Sequence, residues 1–259
     1  PDSNLLASPH YNYCAKEWSA SLVYLLRSIG KRWLNSPVAI LEAENKPKQL
    51  ALACKLGFEV PETIITNKAS TARKFVGDGR SIAKPLATAL IEADGREQII
   101  FTSHIEASHL DSDASIEAAP IIFQRQIIKQ CDLRVTVVGS KVFAAEIHSQ
   151  DHEETIVDWR KGSRPDLPHK IHGLPTSVAE KCVSLTRQFG LGFSAIDLVL
   201  DKLGNYWFLE INPNGQWAWI ENRVGLPIAE AIADELESIY NDESNLRFYL
   251  ANAFEGVCC

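Results

Sequence analysis

Two runs of residues, Ser194–Leu200 and Asn205–Ile211, carry the side chains best suited to chemistry. The first is apolar apart from Asp197, and the second leads through aromatic and β-branched residues to Glu210, with Asn212 just beyond. The short Asp201–Gly204 turn between them predicts an antiparallel hairpin. Glu210 and Asn212 lie two apart, so an extended strand projects both from one face. Asp197, near the middle of the partner strand, comes close to them. A patch of hard oxygen donors like this suits Mg²⁺, which holds phosphates through only one or two protein carboxylates. Taken singly, each acid reads as the partner of a basic neighbour and Asn212 as a turn cap. A buried carboxylate is costly without a positive group facing it. The three in combination point to a metal.

Four cations complement the patch. Lys84 interrupts the apolar strand Ser81–Leu86 just before Pro85, a place where an ammonium needs an anion. Arg134 opens a β-branched strand, Leu133–Gly139, that pairs across Gly139–Ser140 with Lys141–Ile147. Arg160 sits in Asp158-Trp159-Arg160. A guanidinium fork matches phosphate or carboxylate, although an exposed arginine alone is usually just solvated. Lys46, between Asn45 and Pro47, reads by itself as a solvated first-turn lysine. Together the four offer the positive charge to balance a strongly anionic ligand. Rival chemistries are thinly supported: no Ser–His–Asp or Cys–His arrangement stands out, and His148, His152, His169 and His172 lack metal-ligand spacing. No Gly-x-Gly-x-x-Gly follows a strand, which disfavours a dinucleotide oxidoreductase.

The elements that must position these groups alternate between helix and strand. Trp18, Leu22, Leu25, Ile29 and Trp33 predict an amphipathic helix over 16–34, followed by a short apolar run, Val38–Leu41, read as a strand. Asn45 caps a helix ending at Gly57. Val60–Thr66 is extended, and Ala69–Val76 is a short helix. The loop Ala87–Gly95 would close over phosphates, and its single Gly makes only a weak backbone cradle. Ile99–Thr102 returns as a strand, and Ile121–Ile127 is another, ending in polar residues. Gly162–Gly173, rich in Pro, Gly and basic residues, reads as a mobile surface loop. Val178, Cys182, Leu185 and Phe189 form the buried stripe of one helix, and Pro227–Tyr240 is a second such helix.

A chain of 259 residues accommodates two or three subdomains with substantial cores. With 46% apolar and 23% charged residues it has the composition of a soluble globular protein. A formal charge of −7 argues against a general nucleic-acid binder. No apolar run is long enough to span a membrane and no secretory signal is evident, so the expectation is a cytoplasmic protein without a membrane partner. Cys14, Cys54, Cys131, Cys182, Cys258 and Cys259 have neither zinc-ligand spacing nor a disulfide pattern and read as reduced thiols. The chain opens on Pro1 and contains no Met.

The wording D-L-V-L…F-L-E-I-N-P-N-G-Q-W, over Asp197–Leu200 and Phe208–Trp217, resembles the ATP-grasp ligases, and its ending resembles the microviridin (graspetide) maturases among the RimK-like members. The likeness runs from about Asn45 to about Tyr240. It implies an α/β (α+β) ATP-grasp fold whose two subdomains grip ATP across a hinge near 123–128. Residues 1–44 would be the remnant of a preceding α/β domain, 45–240 the ATP-grasp domain and 241–259 a tail. It also implies Lys46 and Lys84 on ATP phosphates and Asp197, Glu210 and Asn212 on Mg²⁺. Gln124, Arg125, Gln126 and Ile127 would run along the adenine edge, with Gln126 or Asp132 at the ribose. Arg134 and Arg160 would serve the γ-phosphate, the acyl phosphate and the substrate carboxylate. The implied reaction is ADP-forming: Asp or Glu side chains of a precursor peptide, with a leader and an acidic core, are joined as ω-esters or ω-amides. Trp217 and Trp219 are candidates to line the peptide site or to pack as an aromatic pair. A RimK-like amino-acid ligase and a non-catalytic nucleotide-binding regulator remain the alternatives, and a homodimer stays among the possible assemblies.

Overall fold

The computed structural model of the chain describes residues 10–28, 33–87, 90–93, 96–161 and 167–241. Ile29 of the first expected helix, parts of the 87–95 and 162–173 loops, and the tail beyond 241 lie outside the described residues.

Three helices come first: α1 (Tyr11–Ser28), α2 (Pro37–Ala43) and α3 (Lys46–Lys55). The apolar run Val38–Leu41, expected as a strand, is inside α2. The reason is local. Ser36 caps the segment by accepting from the Ala39 amide at 3.4 Å, and Pro37 occupies the first turn, where its missing N–H costs nothing. Asn45 caps α3 as expected, accepting from the Lys48 amide at 3.0 Å, and Gly57 follows the helix at a φ of 77°. Along α1, Trp18, Leu22 and Leu25 are exposed, so the apolar stripe covers no core among the described residues.

Next come β1 (Thr63–Thr66), α4 (Ala69–Gly77), β2 (Ser81–Lys84), β3 (Leu90–Ala93), β4 (Arg96–Ile99), β5 (Ser103–Ile105), α5 (Asp113–Glu117) and β6 (Ile121–Arg125). Four of the strands form a small antiparallel sheet in the order β1-β6-β2-β5, and β3 and β4 form a separate hairpin. Two expectations are corrected here. Part of the supposed 87–95 loop is strand, and the return strand ends at Ile99, with Ser103–Ile105 making a second, edge strand. Ala69, Ala72, Phe75 and Val76 of α4 pack on Phe123 of β6 to give this sheet its own core.

The rest of the chain builds a larger sheet from β7 (Lys129–Val138), β8 (Lys141–Ile147), β9 (His169–Ile171), β10 (Phe193–Asp201) and β11 (Tyr206–Asn212), in the order β11-β10-β7-β8-β9. The chain crosses from the small sheet to the large one between Arg125 and Lys129. Strand β9 corrects the reading of Gly162–Gly173 as loop throughout, because its 169–171 portion pairs with β8. One face of the large sheet is covered by α3 and by α6 (Thr176–Gln188), whose Val178, Cys182 and Leu185 meet Leu133, Val135, Ile196 and Leu198. Burying each such aliphatic side chain contributes about 1.5–3 kcal/mol. Helices α7 (Ala218–Val224) and α8 (Ile228–Asn241) cover one end of the opposite face, through Ile220 and Ile228 on Val138, Ala145 and Phe193. The uncovered remainder of that face holds the charged groups. Cys131 and Cys182 are buried free thiols, and burial pushes both up to about 12.

Candidate functional site

Backbone register brings the acids together. Asp197 of β10 stands directly opposite Glu210 of β11 and opposite Arg134 of β7. A β-bulge makes the first pairing useful. The register skips one residue, Leu209, so that Phe208 pairs with Leu198 while Glu210 pairs with Asp197. Phe208 and Ile211 therefore point into the core, and Glu210 and Asn212 point to the open face. The Asn212 amide lies 3.3 Å from both Asp197 Oδ2 and Glu210 Oε1. All three predicted metal-binding side chains are thus brought together.

Two cations face them. Arg134 donates through Nη1 to both Asp197 oxygens at 2.8 and 3.0 Å, and through Nη2 to the Gln216 carbonyl at 3.3 Å. Lys46 donates to Glu210 Oε2 at 3.0 Å. Burial acts to raise Glu210, but the charges of Lys46, Lys84 and Arg160 outweigh it and hold the group down to about 2. Burial raises Asp197, Arg134 opposes that, and the neighbouring Glu210 charge adds to it. Two carboxylates and an amide, with no thiol or imidazole among them, make the hard-oxygen set that Mg²⁺ prefers. Like charge between the acids is a further reason for a divalent cation to sit there. The donor chemistry fits the metal.

All four predicted cations line the same cleft. An inner chamber of about 70 Å³ is walled by Lys84, Gln124, Asp132, Asp158, Arg160, Asp197 and Glu210. An outer chamber of about 510 Å³ is walled by Lys46, Arg134, Trp159, Arg160, Asn212 and Trp219. Lys84 is lowered, chiefly by burial, with the positive charges of Lys46 and Arg160 acting the same way and Glu210 opposing. Arg160 is clamped by Asp158, which raises it above the usual arginine range. Trp159 and Trp219 stack with centroids 5.2 Å apart. Both Trp217 and Trp219 pack against the cluster of Phe193 and Ile220, and of the two Trp219 lines the outer chamber.

The adenine-edge residues stay together: Gln124, Arg125, Gln126 and Ile127 line a small pocket with Lys129 and Leu209. Gln124 donates to the Thr63 hydroxyl at 2.8 Å, while its buried Oε1 has no partner. The Arg125 guanidinium is otherwise engaged: it stacks 4.0 Å from the Phe75 ring, pairs with Glu62 and donates to the Phe75 carbonyl. Both Asp132 oxygens are occupied, by Lys129 at 2.9 and 2.7 Å and by the Ser149 hydroxyl at 2.5 Å.

Several positioning residues escaped the sequence reading. Buried Asn35 donates to the Phe193 and Pro213 carbonyls, each at 2.8 Å, and accepts from the Gly192 and Phe193 amides. Gln49 of α3 donates to the Ile211 carbonyl at 2.9 Å and accepts from the Ile211 amide at 3.2 Å, beside Asn212. Gly215 lets the loop after β11 close on Arg134, since a Cβ there would fall 2.3 Å from the Ala195 Cβ and 2.7 Å from Arg134 Nη2. Lys129 and Asp158 complete the set. For Asn35, Gln49 and Lys129 the sequence offers no signal; for Asp158 the spacing to Arg160 was a weak one.

Residues 43–236 match the RimK-like ATP-grasp domain. The chain belongs to that family. Its fold is ATP-grasp, and the family's chemistry is that of an ADP-forming ligase using ATP and Mg²⁺. Among solved structures, a Chryseobacterium gregarium RiPP-associated ATP-grasp ligase, in complex with ADP and a leader and core peptide, superposes with a TM-score of 0.82. It is 30% identical over 89% of this chain and 70% of its own. The macrocyclase MdnC of Microcystis aeruginosa, bound with precursor peptide MdnA, gives 0.78 at 28% identity over 92% of this chain and 73% of its own. A probable alpha-L-glutamate ligase of Haemophilus influenzae is 23% identical over 88% of this chain and 74% of its own length.

Proposed function

We propose that this ligase activates Asp or Glu side chains of a ribosomally made precursor peptide and joins them to Ser/Thr hydroxyls or a Lys amine, closing ω-ester or ω-amide rings. The observation that carries the reading is the outer chamber. A cleft of about 510 Å³, walled by Trp159 and Trp219 and based on Arg134, Arg160 and Lys46, has room and charge for an acidic peptide segment beside the nucleotide. The RiPP-associated relatives solved with peptides support the same choice.

A carboxylate is a poor electrophile because its oxygen leaves badly. Transfer of the γ-phosphoryl group to it releases ADP and gives an acyl phosphate. The peptide hydroxyl or amine then attacks that carbonyl, losing a proton as phosphate departs. The protein's part is positioning and charge neutralisation, and no protein nucleophile is required. Asp197, Glu210 and Asn212 would hold Mg²⁺, which supplies Lewis-acid neutralisation of phosphate oxygens. Lys46 and Lys84 hold the triphosphate. Arg134 and Arg160 stabilise charge at the transferring phosphoryl group and the incoming carboxylate. The backbone from Gln124 through Ile127 follows the adenine edge, with the unpartnered Gln124 Oε1 as an added acceptor. With both Asp132 oxygens engaged by Lys129 and Ser149, Gln126 is the residue assigned to the ribose. An inner chamber of about 70 Å³ lies below the ~300 Å³ of an ordinary small-molecule site, so nucleotide entry parts the two sheets near 123–128. A cytoplasmic setting suits free thiols and ATP.

The test is incubation with ATP, Mg²⁺ and a precursor peptide carrying a leader and an acidic, Thr/Ser-rich core, read by mass spectrometry. Loss of one water per crosslink is the expected result. Gain of a glutamate mass, when glutamate is supplied, would favour the second reading, an amino-acid ligase like the curated relatives. Nucleotide binding without ADP release under any acceptor would make the chain a regulator instead.

A further inference from the structure

Asp158 has more partners than a counter-ion needs. It is 4% exposed, on the segment between β8 and β9. Its Oδ1 accepts from Arg160 Nε at 2.8 Å and from the Arg160 backbone amide at 3.1 Å. Its Oδ2 accepts from Arg160 Nη2 at 2.8 Å and from the Thr102 backbone amide at 3.2 Å. Four donors fill the lone-pair sites of one carboxylate. Burial works to raise this acid, and Arg160 more than offsets it, so the group lies below its ordinary value and stays ionised.

The two sides of that carboxylate belong to different parts of the molecule. Arg160 follows the large sheet's β8 and reaches into both chambers. Thr102 is the joint between β4 and β5, where the β3–β4 hairpin re-enters the small sheet at its edge strand. Thr102, Asp158 and Arg160 all line the inner chamber with Lys84 and Glu210. The Arg160 side chain is 51% exposed, so packing alone does not fix its direction; the paired bonds to Asp158 do.

We propose that Asp158 is a positioning residue that clasps the β4–β5 joint to Arg160 across the inner chamber, so that closing the chamber and aiming the guanidinium are one event. The aiming half rests on the ligase reading of Arg160; the clasp itself is readable without turnover.

The test compares Asp158→Asn, Arg160→Ala and the double variant in the full chain. An amide keeps the size of the acid but sets an NH₂ against N–H donors. The Thr102 amide should exchange with solvent about tenfold faster in Asp158→Asn, as for one lost charge-assisted bond, and remain protected in Arg160→Ala. For acceptor-dependent ADP release, Asp158→Asn should lower kcat on the order of 10²-fold with ADP affinity unchanged. The double variant should be no slower than Arg160→Ala alone. Unchanged Thr102 exchange overturns the clasp, even if the wild type shows no turnover and the ligase reading fails with it. Additive losses in the double variant overturn action through Arg160. Should Asp158→Asn fail to fold in a thermal melt, Thr102→Pro deletes one donor and leaves the arginine pair. It should then lower kcat with the far-UV circular dichroism of the fold retained, and full activity in that variant overturns the proposal.

Discussion

The two sheets supply the cleft in different ways. The large sheet delivers Arg134, Asp197 and Glu210 by cross-strand register, aimed by a bulge and buttressed from behind by Asn35 and Gln49. The small sheet delivers Lys84 near the end of a four-residue strand, and the Asp158–Thr102 bond ties its edge across the chamber. On the function proposed above, charge placement at the metal end needs no rearrangement, whereas nucleotide entry shifts the small sheet.

The largest effect should come from the metal end. Glu210→Gln removes the charge while keeping the shape, and ATP-dependent turnover should fall on the order of 10³-fold. Lys84→Met should cost on the order of 10²-fold; a larger loss there than at Glu210 would reverse the comparison. Burial lowers Lys84, and a bound phosphate should act in the opposite direction. Calorimetry in buffers of different ionisation heat should then show proton uptake on ATP binding that grows toward alkaline pH and is absent in Lys84→Met.

Stability tests the buttress. Asn35→Ala leaves the Gly192 and Phe193 amides and two carbonyls without their partner, and should lower unfolding free energy by about 2 kcal/mol or more in urea. The smallest effect belongs to the hairpin turn. Trp207 and then Asn205 and Leu203 donate to Asp201, holding it down to about 2. Its folded value is depressed, so its contribution is fully present above the ordinary value of 3.8 and is lost as pH falls toward about 2. Between those limits, acid melts of Asp201→Asn should be flatter than those of the wild type.

Much of this was legible because period and register are local properties. The turn Asp201–Gly204 and the two-residue spacing of Glu210 and Asn212 were enough to put Asp197 beside them. The Leu209 bulge was not legible, since a ladder irregularity arises from packing on both faces of a strand. Val38–Leu41 misled because apolar content outweighed the Ser36-Pro37 cap in the reading. Asn35, Gln49 and the Thr102 side of Asp158 stayed hidden because these roles depend on burial and on partners more than fifty residues away. Arg125 looked available from sequence, yet its guanidinium serves α4 and the turn before β2.

The central claim is that Asp197, Glu210 and Asn212 hold the magnesium that lets ATP activate a carboxylate. Titration of ATP into the wild type and Glu210→Gln, with and without Mg²⁺, tests it most directly. The account predicts that Mg²⁺ tightens ATP binding in the wild type and has little effect in the variant. An equal response to Mg²⁺ in both proteins would contradict it.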